Sequence, residues 1–262
     1  MHNNTYSFED IALLITVYNR SSSLERLLKA FDELGICFGE IIVSDDCSKA
    51  QHQEKMKLLQ QDYPFKLITT PINKGLANNL NKGQNAVTKP FTLYVQEDFI
   101  PQPVFIKNLE NAVKIIKEDT SVDTIRFYAY FPYPYTKPYD INFDEMIFKK
   151  SILYWNHLKF YVYSDHPHLR RSNFLKKFGY YKEGIQMDKT EFEMALSFIK
   201  GNGKGLIAKD IYASFEQKNS PDEPSTVNRK SWREDKSLII LGLRKVFLLY
   251  RFLKNTFQLY SK

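Results

Sequence analysis

The chain has 262 residues, 43% of them apolar and 26% charged, with a formal net charge of +7. This is the composition of an ordinary soluble globular protein, long enough for one large α/β domain with a small appendage. The positive charge favours an anionic partner, such as a nucleotide, a phospholipid surface or nucleic acid, without choosing among them. The two cysteines, Cys37 and Cys47, have no metal-ligand spacing and are typical of a reducing cytoplasm.

The sequence has no obvious targeting or membrane-spanning segment. Its first ten residues, MHNNTYSFED, lack a basic region followed by an apolar core, so we expect no signal peptide. No window holds 18 uninterrupted apolar residues, so we expect no membrane span. Both observations predict a cytoplasmic protein.

Strands and helices alternate along the first 130 residues. Short apolar runs predict strands at 11–17, 40–44, 65–69, 91–95 and 123–130. Helices are predicted after a capping box at Ser22 and Glu25, then at about 51–61, 76–87 and 103–117. Such alternation is typical of βαβ units and a mostly parallel sheet.

The pattern is less regular in the second half. An aromatic and proline-rich loop covers 131–139, and weak alternation predicts one or two strands within 151–164. We expect a basic helix at 169–178, a second helix at 188–200 and a strand at 206–208. A polar loop at 217–233 then leads to an apolar tail at 237–262, which carries scattered lysine and arginine.

Polar clusters follow three of the predicted strands: Tyr18-Asn19-Arg20, Asp45-Asp46 and Glu97-Asp98. A doubly wound sheet brings such strand ends to one edge, where ligands bind. Carboxylates there can accept hydrogen bonds from a nucleotide or hold a divalent metal. The alternatives are a solvated turn at Glu97-Asp98 and a turn-forming pair at Asp45-Asp46. Neither a dinucleotide-binding glycine motif nor a P-loop is present.

Four segments, LLITVYNR, EIIVSDDCS, PINKGLANNLNKG and LYVQEDFIP, resemble in order and spacing the N-terminal half of the family 2 glycosyltransferases with the GT-A fold. The resemblance covers about residues 10–105 and is weaker from 150 to 217. It implies an α/β, Rossmann-like fold with a mostly parallel sheet flanked by helices. It also implies transfer of a sugar from a nucleotide-sugar donor, with inversion at the anomeric carbon.

The resemblance assigns roles by position. The residues expected to bind the nucleotide-sugar are Thr16, Tyr18, Arg20, Asp45, Asp46, Asn73, Lys74, Gly75, Gln96 and Glu97. Gln96 stands where the family's D-x-D motif has its first acid, which leaves Asp98 as the expected ligand of Mg²⁺ or Mn²⁺ and Glu97 as a helper. This departure weakens the expected dependence on metal.

The family's general base is an acid at the start of a helix in the second half, and Thr190-Glu191-Phe192-Glu193-Met194 matches it best. Glu191 is therefore the expected base, with Asp188 as the alternative. A third interpretation is that both acids only cap the helix. The histidine that often follows in the family has no clear match in residues 211–217.

We expect a transferase domain at 1–217, in which 10–130 bind the donor and 131–217 the acceptor, followed by a linker and basic amphipathic helix at 218–262. The apolar side of that helix carries Val246, Leu249, Tyr250, Leu253 and Phe257, while Leu248, Phe252 and Leu259 interrupt its polar side. The helix suits a membrane surface, docking on the domain, or a homodimer.

The expected activity is glycosyl transfer, of the hexosyltransferase type, from a UDP-sugar to a saccharide or lipid-linked acceptor at the inner membrane surface, in surface polysaccharide biosynthesis. Nucleic acid is not an expected partner. Two alternatives remain: a non-catalytic nucleotide-sugar-binding or scaffold protein of the same fold, and a nucleotidyltransferase. The glycine-rich N-terminal loop that the last would need is absent.

Overall fold

The computed structural model describes residues 5–219, residue 223 and residues 238–260, with side chains described for all of these except 238–244. The strands are β1 Tyr6–Val17, β2 Ile36–Asp45, β3 Lys66–Ile68, β4 Phe91–Gln96, β5 Phe99–Pro101, β6 Val122–Arg126, β7 Thr136–Pro138, β8 Phe143–Met146, β9 His168–Arg171, β10 Lys204–Ala208 and β11 Phe215–Gln217. The helices are α1 Ser21–Glu33, α2 Ala50–Asp62, α3 Leu76–Asn85, α4 Val104–Glu118, α5 Phe174–Phe178, α6 Met187–Lys200 and α7 Leu238–Tyr260, with a 3-10 helix at His157–Phe160.

Nine of these strands form one sheet in the order β3-β2-β1-β4-β9-β6-β10-β8-β7. Neighbours from β3 to β4 are parallel, and so are β6 and β10. β9 lies antiparallel between β4 and β6, and β8 lies antiparallel between β10 and β7. Of the nine strands described in this sheet, only β9 and β8 are antiparallel to the others. This confirms the predicted mostly parallel α/β fold.

The two faces of the sheet carry separate hydrophobic cores. Leu13 and Ile15 of β1 join the core that also contains residues of α1 and α4. Leu14, between them, joins the core formed with α3, α6 and α7. Because successive side chains of a strand point to opposite faces, a strand covered on both sides is apolar throughout. This explains the continuous apolar run at 11–17.

The prediction of a basic helix at 169–178 is wrong for the first half of that segment. Residues His168–Arg171 form β9, and only Phe174–Phe178 are helical before Gly179. Arg170 is fully buried, and its guanidinium donates two hydrogen bonds to Oε1 of Gln84, at 3.1 and 2.8 Å. Pairing with β4 and β6 therefore outweighs the local preference of a basic segment.

The strands predicted within 151–164 are also absent, since this segment forms a loop and the 3-10 helix. The Nζ atom of buried Lys159 donates hydrogen bonds to the carbonyl oxygens of Lys149 and Ser151, at 2.8 and 3.1 Å. These bonds hold the loop in a curled form that cannot join the sheet. The sequence pattern also did not predict the short strands β5, β7, β8 and β11.

Helix α1 begins without the predicted capping box. Arg20 occupies the N-cap, and its side chain makes no capping hydrogen bond. Instead, the carboxylate of Glu223 accepts hydrogen bonds from the backbone N–H groups of Ser22 and Ser23, at 2.9 and 2.8 Å. A carboxylate distant in sequence thus satisfies N–H groups that the first turn leaves free.

The predicted C-terminal helix is confirmed as α7, which packs on the 3-10 helix and contributes Phe252 and Leu259 to the second core. Among the described residues, no helix is both long enough and apolar enough to span a bilayer.

Candidate active site

The carboxyl ends of β1, β2 and β4 meet at one edge of the sheet. In the strand register, Thr16 pairs with Ser44 on one side and with Gln96 on the other, and Val17 pairs with Asp45. The hydroxyl groups of Thr16 and Tyr94 lie 2.9 Å apart. The three polar clusters that the sequence places after strands are therefore neighbours in space.

The two acids after β2 also organise nearby loops. Both carboxylate oxygens of Asp45 accept hydrogen bonds from the backbone N–H of Ser48, at 3.2 and 3.1 Å. The carboxylate of Asp46 accepts from the N–H groups of Lys74 and Gly75, at 2.8 and 2.7 Å. Asp45 therefore makes the contacts with Ser48 that are expected of a turn, which was the alternative to ligand binding. Since a carboxylate accepts about four hydrogen bonds, Asp46 has capacity for a further donor, whereas Asp45 is fully buried.

The loop before α3 faces the same edge. Gly75 has φ +85, a left-handed conformation that glycine adopts without strain, and it is the N-cap of α3. The Asn73 side chain accepts a hydrogen bond from the Gly75 N–H at 3.0 Å. Lys74 is exposed and Tyr18 lies at the rim, 36% exposed. These residues leave a cation and a polar loop accessible to a ligand at this edge.

Lys82 is a further cation here that sequence reasoning missed. Its Nζ atom donates a hydrogen bond to the backbone oxygen of Asp45. Burial lowers the pKa of Lys82, while the negative charges of Asp46 and Asp45 act in the opposite direction. The signal in the sequence was weak, since α3 is polar on its buried side as well.

The acids after β4 are paired with Arg20. Its Nη1 atom lies 3.0 Å from Oε1 of Glu97 and 3.6 Å from Oδ2 of Asp98. Burial, together with the charge of Asp98, raises the pKa of Glu97 to about 7, and Arg20 partly offsets that rise. The arginine therefore supplies part of the positive charge that two adjacent buried carboxylates require.

Asp98 has an oxygen atom left without a partner. Its Oδ2 atom accepts a hydrogen bond from Nε2 of Gln217 at 2.8 Å. Its Oδ1 atom is buried and has no hydrogen-bond partner among the described residues. Gln217 lies at the end of the segment in which the family's histidine was sought. A buried carboxylate oxygen without a donor is costly unless a cation or ligand satisfies it.

This donor set fits a hard divalent cation bound together with a ligand phosphate. No group of three or more histidine, cysteine or acidic side chains in the described part of the chain could enclose a metal. Mg²⁺ commonly uses only one or two protein carboxylates and completes its shell with water and phosphate oxygens. Asp98 meets that requirement through its free Oδ1 atom, and Glu97 is its neighbour.

Glu191, the expected base, lies in the first half of α6 and is half-buried. Its Oε1 atom accepts a hydrogen bond from the backbone N–H of Asp165 at 3.0 Å. The N-cap of α6 is Gln186, so Glu191 is beyond the capping positions. Burial, followed by the negative charge of Asp165, raises the pKa of Glu191 to about 8. Asp188 is exposed in the first turn, and its charge adds to this rise.

Asp165 is a second acid that sequence reasoning did not identify. It is buried, and its Oδ1 atom accepts hydrogen bonds from the hydroxyl groups of Tyr163 and Tyr181, at 3.2 and 3.1 Å. Its Oδ2 atom is buried without a partner among the described residues. Burial raises the pKa of Asp165 to about 6, although Arg170 acts against this. Glu191 of α6 and Asp165 of the loop before β9 thus form a pair of interacting acids.

A chain of contacts joins this acidic pair to Asp98. The hydroxyl of Tyr130 donates a hydrogen bond to Oε1 of Gln217 at 2.8 Å, and Gln217 holds Asp98. The ring of His166, which follows Asp165 in the sequence, lies edge-on to Tyr130 with centroids 4.4 Å apart. A continuous series of contacts thus links the expected metal ligand to the expected base.

Comparisons with known sequences identify the family of the chain. The sequence model described as Glycosyl transferase family 2 matches residues 12–179, which is more than half of the chain. A dolichol-phosphate mannosyltransferase from Pyrococcus furiosus is 29% identical over 106 residues, covering 40% of this chain and 30% of that protein. An uncharacterized glycosyltransferase from Haemophilus influenzae is 24% identical over 119 residues, covering 44% of this chain and 37% of that protein. The matches thus span about a third of each relative.

Solved structures share the fold. S. aureus TarS 1-349 in complex with UDP-GlcNAc has a TM-score of 0.60 at 17% identity, covering 96% of this chain and 73% of that chain. Mannosyltransferase PcManGT from Pyrobaculum calidifontis, in complex with GDP-Man and Mn²⁺, has a TM-score of 0.54 at 12% identity, covering 99% and 79%. At these identities the likeness concerns the fold alone. Together with the family match, it shows that the chain belongs to glycosyl transferase family 2 and has the GT-A fold.

Proposed function

We propose that this protein transfers a sugar, of the hexosyl type, from a UDP-sugar to a hydroxyl group of a saccharide or lipid-linked acceptor, with inversion. Residues 1–217 would form the transferase domain, with the donor held by 10–130 and the acceptor by 131–217. The UDP-GlcNAc bound by TarS supports this donor class, and the name of the P. furiosus relative supports a lipid-linked acceptor.

The observation that carries the proposal is the buried Oδ1 atom of Asp98 at the carboxyl end of β4, which has no hydrogen-bond partner in the part of the chain that the structure describes. It lies where a doubly wound sheet binds ligands, and an oxygen-binding cation would satisfy it. When bound, Mg²⁺ or Mn²⁺ would supply positive charge that stabilises the departing diphosphate, with Asp98 as its ligand and Glu97 beside it.

The remaining donor-binding residues lie around this point. Asp46 would accept a hydrogen bond from the nucleoside, with Thr16 and Tyr18 lining the same place, and the fully buried Asp45 would lie beside them. The other proposed donor contacts are Arg20, Asn73, Lys74, Gly75, Gln96 and Glu97. The exposed Lys74 would pair with the diphosphate, which provides the anionic partner that the excess of basic residues favours.

Transfer requires one proton to leave the acceptor. We assign its removal to the Oε2 atom of Glu191, because Oε1 is already held by the N–H of Asp165. The acceptor oxygen then bonds to the anomeric carbon as the bond from that carbon to the diphosphate oxygen breaks. The electron pair of the broken bond leaves with the nucleoside diphosphate. The carboxylate of Glu191 suits this role because its pKa is raised, and a general base is most effective when its pKa lies near the operating pH.

We place this activity in the cytoplasm, at the inner face of the cytoplasmic membrane, as one step of surface polysaccharide biosynthesis. The basis for this location is α7, whose exposed side is apolar and whose sequence is basic. An acceptor carried by a membrane lipid would then lie near the protein.

A second candidate is a non-catalytic protein that binds nucleotide-sugars. One observation favours it: Arg20 already compensates the acids after β4, and Gln217 stands where a histidine was expected. This arrangement lowers the need for a cation and removes one group that could assist the leaving diphosphate.

Donor turnover separates the two candidates. We expect UDP-sugars with Mn²⁺ to release UDP slowly, with water as the acceptor. The first free sugar seen by proton NMR should have the configuration opposite to that of the donor. Glu191→Gln should abolish this release and leave UDP binding intact. The same configuration as the donor would refute inversion, and tight UDP binding without any turnover would favour the second candidate.

A further inference from the structure

Helix α7 carries two apolar stripes on opposite sides. One stripe, Leu248, Phe252, Asn255 and Leu259, faces the domain, with Leu248 half-buried and the other three buried. The ring of Phe252 lies 6.1 Å from that of Phe160, and Nζ of Lys159 lies 4.9 Å above it. The apolar residues that interrupt the polar side of this helix in the sequence are thus the ones that attach it to the domain.

The second stripe points away from the domain. Its members repeat at helical spacing, and all are exposed: Val246, Leu249, Tyr250, Leu253, Phe257 and Tyr260. Phe257, for example, is 73% exposed. A helix held by one side would normally be polar on the other. Docking on the domain therefore accounts for only one of the two stripes.

A loop of the domain extends this surface. The hydroxyl of Tyr260 donates a hydrogen bond to the backbone oxygen of Lys150 at 3.4 Å, which places the end of α7 beside the loop 151–156. Within that loop, Leu153 and Trp155 are 82% and 70% exposed, and Ile152 is exposed as well. We call the outward stripe of α7 together with residues 152–155 the aromatic face.

The two segments that form the aromatic face carry charges of one sign. Neither segment 147–161 nor segment 238–260 contains an acidic residue, whereas five of their lysine and arginine side chains are at least partly exposed: Lys149, Lys150, Lys245, Arg251 and Lys254. Five exposed cations without an acid in the same segments favour an anionic occupant.

We propose that the aromatic face docks on a membrane surface that contains anionic phospholipid. Exposed tryptophan and tyrosine suit the boundary between headgroups and acyl chains, leucine and phenylalanine suit the region below it, and flanking lysines pair with phosphate. A second copy of this chain fits less well. A two-fold contact would press the same basic surfaces together without acids to neutralise them.

This inference extends the membrane location proposed above and does not depend on catalysis. The surface nevertheless adjoins the site, because the guanidinium of Arg251 donates a hydrogen bond to the hydroxyl of Tyr161. The ring of Tyr161 lies 6.1 Å from that of Phe192, the residue after Glu191. Docking through the aromatic face would hold the proposed base near the bilayer.

The test is sedimentation of the full chain with vesicles of phosphatidylcholine alone or with about 30% phosphatidylglycerol. We expect binding to the anionic vesicles only, weakened by salt. The double variants Leu253→Ser/Phe257→Ser and Lys245→Glu/Lys254→Glu should each reduce partitioning by at least about tenfold. Leu58→Ser and Lys57→Glu, at exposed positions on α2, are the matched controls and should bind like wild type.

Fluorescence supplies a readout at the loop. The chain has two tryptophans, and Trp232→Phe leaves Trp155 as the sole reporter. Its emission should shift to shorter wavelength with anionic vesicles. Retention of wild-type protein in the supernatant, or wild-type binding by both double variants, would overturn the proposal. A dimer in analytical ultracentrifugation that Phe257→Ser dissociates would also overturn it, in favour of the second copy.

Discussion

Replacing Glu191 by glutamine removes the proposed base and keeps the size and shape of the side chain. Positioned general bases contribute roughly 10² to 10⁴ to the rate, so we expect kcat to fall by about a thousandfold. The hydrogen bond from the N–H of Asp165 can still form with the amide oxygen, and the fold should survive. Binding of the nucleoside diphosphate should change little, because Glu191 is assigned to the acceptor side of the site.

The raised pKa of Glu191 also predicts how kcat/KM depends on pH. With a pKa of about 8, only about a tenth of this carboxyl is ionised at pH 7. A base acts in its ionised form, so wild-type kcat/KM should rise about tenfold between pH 6 and pH 7 and level off above about pH 8. The rising limb should be missing from whatever activity Glu191→Gln retains.

The assay is release of the nucleoside diphosphate from pH 5.5 to about pH 9.5, with donor affinity measured by calorimetry. Glu193→Gln, a half-buried neighbour on α6, is the matched control and should keep both rate and pH profile. Asp188→Asn tests the alternative base. More than about a tenth of wild-type kcat in Glu191→Gln, or a large loss in Asp188→Asn alone, would refute the assignment.

Three further predictions concern neighbouring groups. Asp165→Asn removes a negative charge beside Glu191, so the pKa of Glu191 should fall and the rising limb should move about one pH unit lower; an unchanged profile would contradict the pairing. Arg20→Ala leaves two buried acids without their cation and should cost about 3 kcal/mol in urea unfolding; a cost under about 1 kcal/mol would show that the pairs are not stabilising. Gly83→Ala would place a Cβ atom 2.6 Å from Cδ1 of Leu14, so the free energy of unfolding should fall by about 1–3 kcal/mol; an unchanged value would show that α3 can shift.

Local patterns predicted the first half of the fold well. Residues 11–15 of β1, 41–43 of β2 and 93–95 of β4 form apolar runs because both faces of the sheet are covered, and α1 and α4 each have a clear apolar side. The main strand that the pattern missed was β9. Its Arg170 is buried only because its N–H groups are received by two tyrosine hydroxyls and by Gln84, which is 86 positions away in the sequence. No window of local sequence contains that information.

The residues of the candidate site likewise fall into those that local sequence suggests and those that it does not. Strand ends and family motifs identified Asp98 and Glu191, since their positions follow from local segments. Asp165 and Gln217 were missed because their roles depend on contacts with residues far away in the sequence. Likewise, the capping box at α1 was expected from adjacent residues, whereas the carboxylate that caps the helix comes from Glu223, about 200 positions later.

The proposed transfer requires a nucleoside diphosphate and a divalent cation to bind together at Asp98. The most direct test is a thermal-shift panel of UDP, GDP, dTDP and CMP, each with Mn²⁺ or with EDTA, on wild type, Asp98→Asn and Glu97→Gln. We predict that UDP with Mn²⁺ raises Tm by about 5 °C at 100 times its Kd, and that EDTA or Asp98→Asn removes this rise. Glu97→Gln should keep most of it. No stabilisation by any nucleotide, or an undiminished rise in Asp98→Asn, would contradict the account.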